Sequence, residues 1–487
     1  MPVHDKVAGY ARQKPHQIAI THDEGCLSWQ QLWRWSVALY QQIRADTEHD
    51  RVIGLACGNH LAFVPGWLAA TAKRHTCAVF DPDLPAARLD ELLSRVKPDE
   101  LLLTREQTTL AQRAQQLDIA IRYLDDLREQ EVEDDAEFCA GVNALTPFLI
   151  NFTSGTTSLP KAFTRQRRSW WQSLRDGYAL FGLGETTSTL FPGPLFHGIG
   201  LYALNEALDA GHHFYSLSKW SGAGTLALLA EQKIDRLVVV PTMLAAFAEL
   251  PEQPLNQVKR VLSAGAKMQY HHFASARSRF PAAQLQEYYG ASELGFIAVS
   301  SLTDENVDDQ LLTVGVAFPG TTLSIRNQQD ECVAPGVTGT IWLQSPQICG
   351  GYLWGDESHA FRHTAAGATV QDLGYLDAQG RLVVMGRSGD MVTVGGNNVY
   401  LAEIEAALKT LDDVQEVVVL AADDLRLGKK LLAFIRGQHT DFASLPQRSR
   451  QLLAKYKIPH HFIAVSHWPL TVSGKIDRRA LLQEFTP

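Results

Sequence analysis

Phe148-Leu149-Ile150-Asn151-Phe152 runs directly into Thr153-Ser154-Gly155-Thr156-Thr157-Ser158-Leu159-Pro160-Lys161. The first five residues are an apolar run of strand length, and they read as a buried strand. The next nine are rich in hydroxyls, contain one Gly and end on a Lys. A hydroxyl- and Gly-rich loop at a strand end suits an anion. Backbone N–H groups, hydroxyls and one ammonium can converge on it.

The P-loop is the first comparison. It needs a second Gly before its Lys and a Ser or Thr after it. Here Pro160 precedes Lys161 and Ala162 follows, so that reading fails. No GxSxG stretch occurs either, so a serine hydrolase of that type is unsupported.

The surroundings bound the answer. The chain has 487 residues, with 45% hydrophobic and 20% charged residues. That composition is ordinary for a globular protein, and the length suggests roughly two to four domains or subdomains. A net charge of -9 argues against nucleic-acid binding through the whole surface. Six scattered cysteines without a CxxC pair fit reduced thiols and a cytoplasmic location. The start of the chain lacks a charged-then-apolar leader pattern. No apolar run approaches the ~20 residues of a membrane span. The longest, Leu237 to Ala248, contains Pro241 and reads as a buried strand entering a helix.

Before residue 145, short apolar runs (Val52 to Ala56, Leu101 to Leu103) alternate with amphipathic stretches (Trp29 to Ile43, Ala87 to Val96). Such alternation predicts α/β layering with parallel strands. Asp81 to Pro85 is a turn cluster, and the carboxylate-rich Asp125 to Glu137 reads as a solvated segment ending a first subdomain. A second α/β unit spans about 147 to 305. Between 310 and 386, short strand-like runs separated by Gly and Pro read as a small β-rich subdomain. The last hundred residues are polarised. Asp390 to Leu425 holds eight acids and one base, Lys409, whereas Arg426 to Arg479 holds eleven bases and two acids. The basic half is either a solvated face or an anion-facing surface.

Further segments point the same way as the loop. Tyr289-Gly290-Ala291-Ser292-Glu293 joins an aromatic ring, a Gly, a hydroxyl and a carboxylate. Asp372-Leu373-Gly374-Tyr375-Leu376-Asp377 precedes Gly386-Arg387. Pro469-Leu470-Thr471-Val472-Ser473-Gly474-Lys475-Ile476-Asp477-Arg478 lies near the end of the chain. Together with Pro194 to Gly198, Val240 to Met243 and Ser263 to Ala266, and in this order, they resemble the adenylate-forming superfamily. That group holds acyl-CoA synthetases, peptide-synthetase adenylation domains and luciferases.

The resemblance implies an α/β fold. A large N-terminal region, residues 1–388, would hold layered α/β subdomains plus the small β-rich one. A mobile α+β domain, 389–487, would carry the catalytic lysine. It implies ATP-dependent activation of a carboxylic acid to an acyl-adenylate, with transfer to the thiol of CoA or of a carrier protein's phosphopantetheine. ATP, Mg²⁺ and that thiol are the implied cofactors, and an acidic acyl-carrier protein is an implied partner.

By motif match, Thr153, Ser154, Gly155, Thr156, Thr157 and Lys161 would hold phosphate. Ala264, Gly265, Ala266, Tyr289, Gly290 and Ser292 would hold the nucleotide, Asp372 its ribose, and Arg387 the same ribose or phosphate. Glu293 would ligate Mg²⁺, and His197, Glu293 and Lys475 are the catalytic candidates. Gly389 falls at the hinge and Gly396 at the thiol tunnel.

Five positions depart from the usual pattern. Ser158 replaces Gly, Ser292 replaces Thr, Val370-Gln371 replaces Thr-Gly, and Gly389 replaces Asp or Lys. None removes a charged catalytic group. A weakened adenylate-binding sensor or adaptor is the rival reading, and an amino-acid-adenylating enzyme another. Amino-acid activators hold the ammonium on an Asp shortly after Phe196. Here the first carboxylate is Glu206, which favours a fatty or aromatic acid, since an uncompensated buried ammonium is costly. The adjacent histidines (His212-His213, His271-His272, His460-His461) read as surface residues.

Overall fold

The computed structural model describes residues 3–44, 50–127, 138–139, 143–153, 161–355, 361–387, 391–394, 397–424, 428–437, 440–472 and 474–485. It divides into two compact units. The first comprises 1–307, 318–321 and 344–359; the second comprises 308–317, 322–343 and 360–487.

Two sheets build the first unit. One has seven strands in the order Tyr352–Trp354, Lys161–Gln166, Pro147–Thr153, Thr76–Val79, Val52–Leu55, Glu100–Leu103 and Ala120–Tyr123. Its strands from Pro147–Thr153 through Ala120–Tyr123 are parallel. Lys161–Gln166 returns antiparallel on Pro147–Thr153, with Thr153 opposite Lys161. The other sheet runs Gly295–Leu302, Gln284–Ala291, Arg260–Ser263, Arg236–Val239, Ser188–Leu190, His213–Tyr215, Ile18–His22, Gly25–Ser28. The five strands from Gln284–Ala291 to His213–Tyr215 are mutually parallel, and Ile18–His22 continues them.

The expected elements form where the apolar pattern put them. The stretch from Trp29 becomes the helix Trp29–Arg44, that from Ala87 the helix Ala86–Val96, and Leu237 to Ala248 the strand Arg236–Val239 followed by the helix Pro241–Ala248. Pro241 opens that helix, where its missing N–H costs nothing. The helix Phe63–Ala70 is buried along its whole length, as its unbroken apolar sequence requires. It joins a core with Trp29, Trp35, Trp67, Phe148 and Trp170.

The β-rich stretch is a six-stranded sheet in the second unit: Arg362–Thr364, Gly367–Thr369, Gly339–Gln344, Asp372–Leu376 and Leu382–Arg387, with Thr322–Arg326 beside Gly339–Gln344. The same unit holds the hairpin of Met391–Val394 and Asn397–Tyr400. A three-stranded sheet of Glu416–Asp424, Gly428–Arg436 and His461–Ala464 carries the helices Leu401–Leu408, Leu445–Leu452 and Arg478–Phe485.

The adjacent histidines correct one expectation. His212 and His272 are buried. His212 bonds the Leu183 carbonyl at 2.8 Å and the Thr189 hydroxyl at 3.0 Å. His272 belongs to the cap of the helix Tyr270–Arg279. His213 and His271 are half-buried, and the rings of His271 and His272 lie together, with centroids 3.9 Å apart. Only His460 and His461 are exposed as a pair. The acid-rich Asp125 to Glu137 falls largely outside the described residues.

Candidate active site

Four parallel strands of one sheet end at the same edge. Leu190 lies beside Leu237, and Val239 beside Ser263, itself beside Glu287. The chain leaves that edge through 191–198, 240–243 and 264–267, and Gln284–Ala291 runs past it into the turn at 292–294. In open α/β sheets, ligands bind outside the carboxyl ends of the strands. The sequence motifs around His197, Pro241, Ala264 and Glu293 therefore converge on one edge, though up to 96 residues separate them.

Each motif has a local cause. Ala264 is fully buried, its N–H bonded to the Val239 carbonyl at 3.2 Å. Gly265 has φ +89°, where a side chain would be strained, and Ala266 is exposed. Tyr289 is half-buried near the strand end. Gly290 follows a bulge; a Cβ there would lie 2.7 Å from the Gly295 carbonyl oxygen across the hairpin. Ser292 is exposed and Glu293 buried.

Glu293 is tied on several sides. The Tyr352 hydroxyl donates to its carboxylate, and its backbone carbonyl accepts from Cys349 N–H at 2.8 Å. The Lys161 ammonium lies 5.4 Å from the Tyr352 ring centre. The last residue of the candidate phosphate loop and the candidate metal ligand thus share one tyrosine. Thr153 and Lys161 sit opposite one another as the stems of that loop. A P-loop would continue from strand to helix, whereas this chain returns as a strand. Ser154, Gly155, Thr156 and Thr157 lie outside the described residues.

His197 occupies the N-cap position of the helix Gly198–Ala210, and its ring lies tilted at 53° to that of Phe196, with centroids 4.9 Å apart. A Cβ at Gly198 would come no nearer than 3.9 Å, to the Asn151 carboxamide, so this position has room. At Gly200 a Cβ would lie 2.5 Å from the Pro194 carbonyl, so that Gly serves close packing. Glu206 is engaged: Arg236 holds it at 2.6 Å, both side chains being almost wholly buried. Burial pushes the Glu206 carboxyl up and Arg236 draws it back.

In the second unit, Asp372 is buried and pairs directly with Arg387 across two antiparallel strands. Gln371 before it has φ +62°. The replacement of Gly at this position therefore keeps the left-handed turn with a side chain in it. Lys475 is exposed at the end of a tight turn. Thr471 N–H bonds the Lys475 carbonyl at 2.7 Å, and Gly474 has φ +77°. Asp477 then caps the helix Arg478–Phe485, accepting from Arg479 and Ala480 N–H, each at 3.0 Å. Gly389 and Gly396 lie outside the described residues. Much of the basic half is neutralised by the acidic half of the same unit: Lys429 pairs with Asp423, Arg436 with Glu416, Arg448 with Asp413, Lys457 with Glu403 and Arg478 with Glu405.

Sequence reasoning missed Arg165. It is buried on Lys161–Gln166 and donates to the carbonyls of Ser292 at 2.6 Å and Gln347 at 2.7 Å, bracing the turn that bears Glu293. Burial lowers its pKa, and nearby Cys349 and Glu293 oppose that. The only signal was a charged residue at an inward-facing strand position.

Residues 7–353 match the profile described as AMP-binding enzyme, and 403–475 that of the AMP-binding enzyme C-terminal domain. An uncharacterized acyl-CoA ligase of Bacillus subtilis (strain 168) is 29% identical over 476 residues, 96% of this chain and 95% of its own. A putative long chain fatty acid-CoA ligase of Staphylococcus haemolyticus (strain JCSC1435) is 30% identical over 336 residues, 68% of this chain and 69% of its own. Among solved structures, ATP-bound MatB from Rhodopseudomonas palustris has a TM-score of 0.87 at 20% identity, covering 99% of each chain. The o-succinylbenzoate CoA synthetase of Bacillus subtilis, in complex with its acyl-adenylate, has a TM-score of 0.83 at 22% identity, covering 98% of this chain and 97% of that one. The profile match over residues 7–353 and the 30%-identical relative show the family: this chain belongs to the AMP-binding enzyme family.

Proposed function

We propose that this protein is an AMP-forming acid–thiol ligase. A carboxylate oxygen of the acid attacks the α-phosphorus of ATP. The Pα–O–Pβ bond breaks and pyrophosphate leaves, giving a mixed anhydride. A thiol sulfur then attacks the acyl carbon, the bond to AMP breaks with its electron pair, and the thiol proton passes to solvent. The thiol is that of CoA; a carrier protein's phosphopantetheine offers the same sulfur.

The observation that carries this reading is the convergence of His197, Ala264 to Ala266, Tyr289 and Glu293 on one sheet edge. The first step joins two anions. Their repulsion at 4 Å is ~1 kcal/mol in water and ~4 kcal/mol at an effective dielectric of 20. Cationic Lys161 and Lys475 are the residues we assign to offset it. Glu293 suits Mg²⁺, which takes one or two carboxylates plus phosphate oxygens, and the ion would supply charge neutralisation there. Asp372 accepts both ribose hydroxyls, a task for an acceptor-only group. Gly389 is the pivot in this reading, with a domain boundary at 388/389.

The acid is fatty or aromatic. Glu206, the first carboxylate after Phe196, is committed to Arg236 and cannot also neutralise a substrate ammonium. The test is ATP–pyrophosphate exchange with octanoate, palmitate, benzoate and L-phenylalanine, followed by addition of CoA or a phosphopantetheinylated carrier. Exchange with an apolar acid and thioester formation with CoA are expected. Exchange with phenylalanine alone would reverse the substrate class. No exchange with any acid would favour an adenylate-binding sensor.

A further inference from the structure

The segment 193–198, which delivers His197 to the sheet edge, is held by a residue from a different sheet. Asn59 follows the strand Val52–Leu55. Its Nδ2 donates to the carbonyls of Gly193 at 2.8 Å and Leu217 at 2.9 Å. Its Oδ1 accepts from Leu195 N–H at 2.6 Å. A primary amide offers two donor hydrogens on one side and an acceptor on the other. All are used here, and two carbonyls facing Nδ2 fix which way the amide points. The anchor is itself anchored. His22 Nε2 lies 3.1 Å from the Asn59 carbonyl, and Glu24 accepts from Leu61 N–H at 2.8 Å.

The held segment has little other freedom to settle. Leu195 is buried, and Pro194 packs so closely on Gly200 that no Cβ fits between them. Beyond it, Gly198 faces Asn151 on the strand that leads into the candidate phosphate loop. A shift of Leu195 therefore moves His197 and Gly198 relative to that strand.

We propose that Asn59 is a positioning residue for acid activation. It fixes the height of 193–198, and hence the gap in which the acid's carboxylate meets the nucleotide. The proposal rests on the ligase reading. Asn59 touches neither substrate in this account; it acts through Leu195 and His197.

Asn59→Asp is the decisive variant. It keeps the shape but turns an acceptor oxygen toward two carbonyls. Asn59→Ser, which removes the carboxamide without adding charge, guards against a folding failure. In ATP–pyrophosphate exchange with octanoate and benzoate, both variants should raise KM for the acid about tenfold. KM for ATP should stay within about twofold, because the ATP-binding residues sit on other segments. Hydrogen exchange of the 191–199 peptide should quicken in both: Asn59→Ser takes the acceptor from Leu195 N–H, and Asn59→Asp keeps that acceptor but sets an oxygen against the Gly193 carbonyl in place of a donor. A merely structural role would lower the melting temperature and raise both KM values together. That result, or unchanged exchange at 191–199 in a folded variant, overturns the proposal. A parent protein that exchanges pyrophosphate with no acid defeats the ligase reading instead, and the amide readout at 191–199 then decides the holding role on its own.

Discussion

Gly290→Ala probes the turn that carries Ser292 and Glu293 with a single added methyl group. The backbone at Gly290 lies outside the left-handed region, so Ala meets no conformational penalty there. The obstacle is space. The new Cβ would sit 2.7 Å from the Gly295 carbonyl oxygen, whereas ordinary contact begins near 3.4 Å. One strand of the hairpin must therefore move by about 0.7 Å, and the obstructing atom is backbone. Overpacking of this kind costs ~1–3 kcal/mol. The displacement falls on Glu293, whose carboxylate is fixed by Tyr352 and whose carbonyl is fixed by Cys349. A misplacement approaching 1 Å costs up to ~10²-fold in rate. ATP–pyrophosphate exchange should thus fall roughly 10- to 100-fold, with a lowered melting temperature. The control is Gly9→Ala, in the helix His4–Gln13, where a Cβ meets nothing within 4 Å. It should gain ~0.5–1 kcal/mol and leave exchange untouched. A Gly290→Ala protein with parental exchange and parental stability would refute the claim that this hairpin sets the position of Glu293.

Three further outcomes are expected. Lys475→Ala should cut adenylate formation by roughly 10²–10³, by analogy with loss of one transition-state donor. Thioester formation from supplied acyl-adenylate should stay near the parental rate; equal loss in both steps would remove Lys475 from the first. Gln371→Gly should relieve a left-handed residue at φ +62°, worth ~1–2 kcal/mol, less ~0.5–1 for the freer unfolded chain. A urea titration showing lost stability would contradict it. Stability should also fall with acid, because burial holds His212 down to about 4. The neutral form is the folded form, so the unfolded chain binds more protons below about 6.5. Stability is thus complete above that pH and is lost as pH falls toward 4. At pH 5 the loss is about 2 kcal/mol, at ~1.36 kcal/mol per pH unit. A His212→Gln protein with the parental drop between pH 7 and 5 would assign it elsewhere; His75, also depressed to about 4, is the next candidate.

Much of the fold was legible because apolar pattern is local. Phe148 to Phe152 announced a buried strand, and Leu237 to Ala248 announced a strand entering a helix through Pro241. The motifs stood out through their ordered resemblance to a known superfamily; alone, a string such as Tyr289-Gly290-Ala291-Ser292-Glu293 reads as a turn. The missing parts depend on partners distant in sequence. Arg165 reads as an ordinary charged residue until Ser292 and Gln347, more than 120 residues away, present their carbonyls. Asn59 reads as a turn residue until Gly193, Leu195 and Leu217 close around it. His212 could be seen to point away from His213, but nothing local told that it would be buried. The antiparallel return after Lys161 was equally silent, since Ala162 to Gln166 has no pattern that selects direction.

That return has an evolutionary consequence. Thr153 and Lys161 are partners across two strands, so the ends of 154–160 are pinned by the sheet itself. Closing such a loop is part of the cost of assembling the strands and grows only slowly with length. Its residues can therefore be exchanged as a cassette without the strand pairing being at stake. Ser158, a departure from the Gly of the pattern this stretch resembles, is the kind of substitution such an arrangement lets a lineage sample without putting the fold at risk.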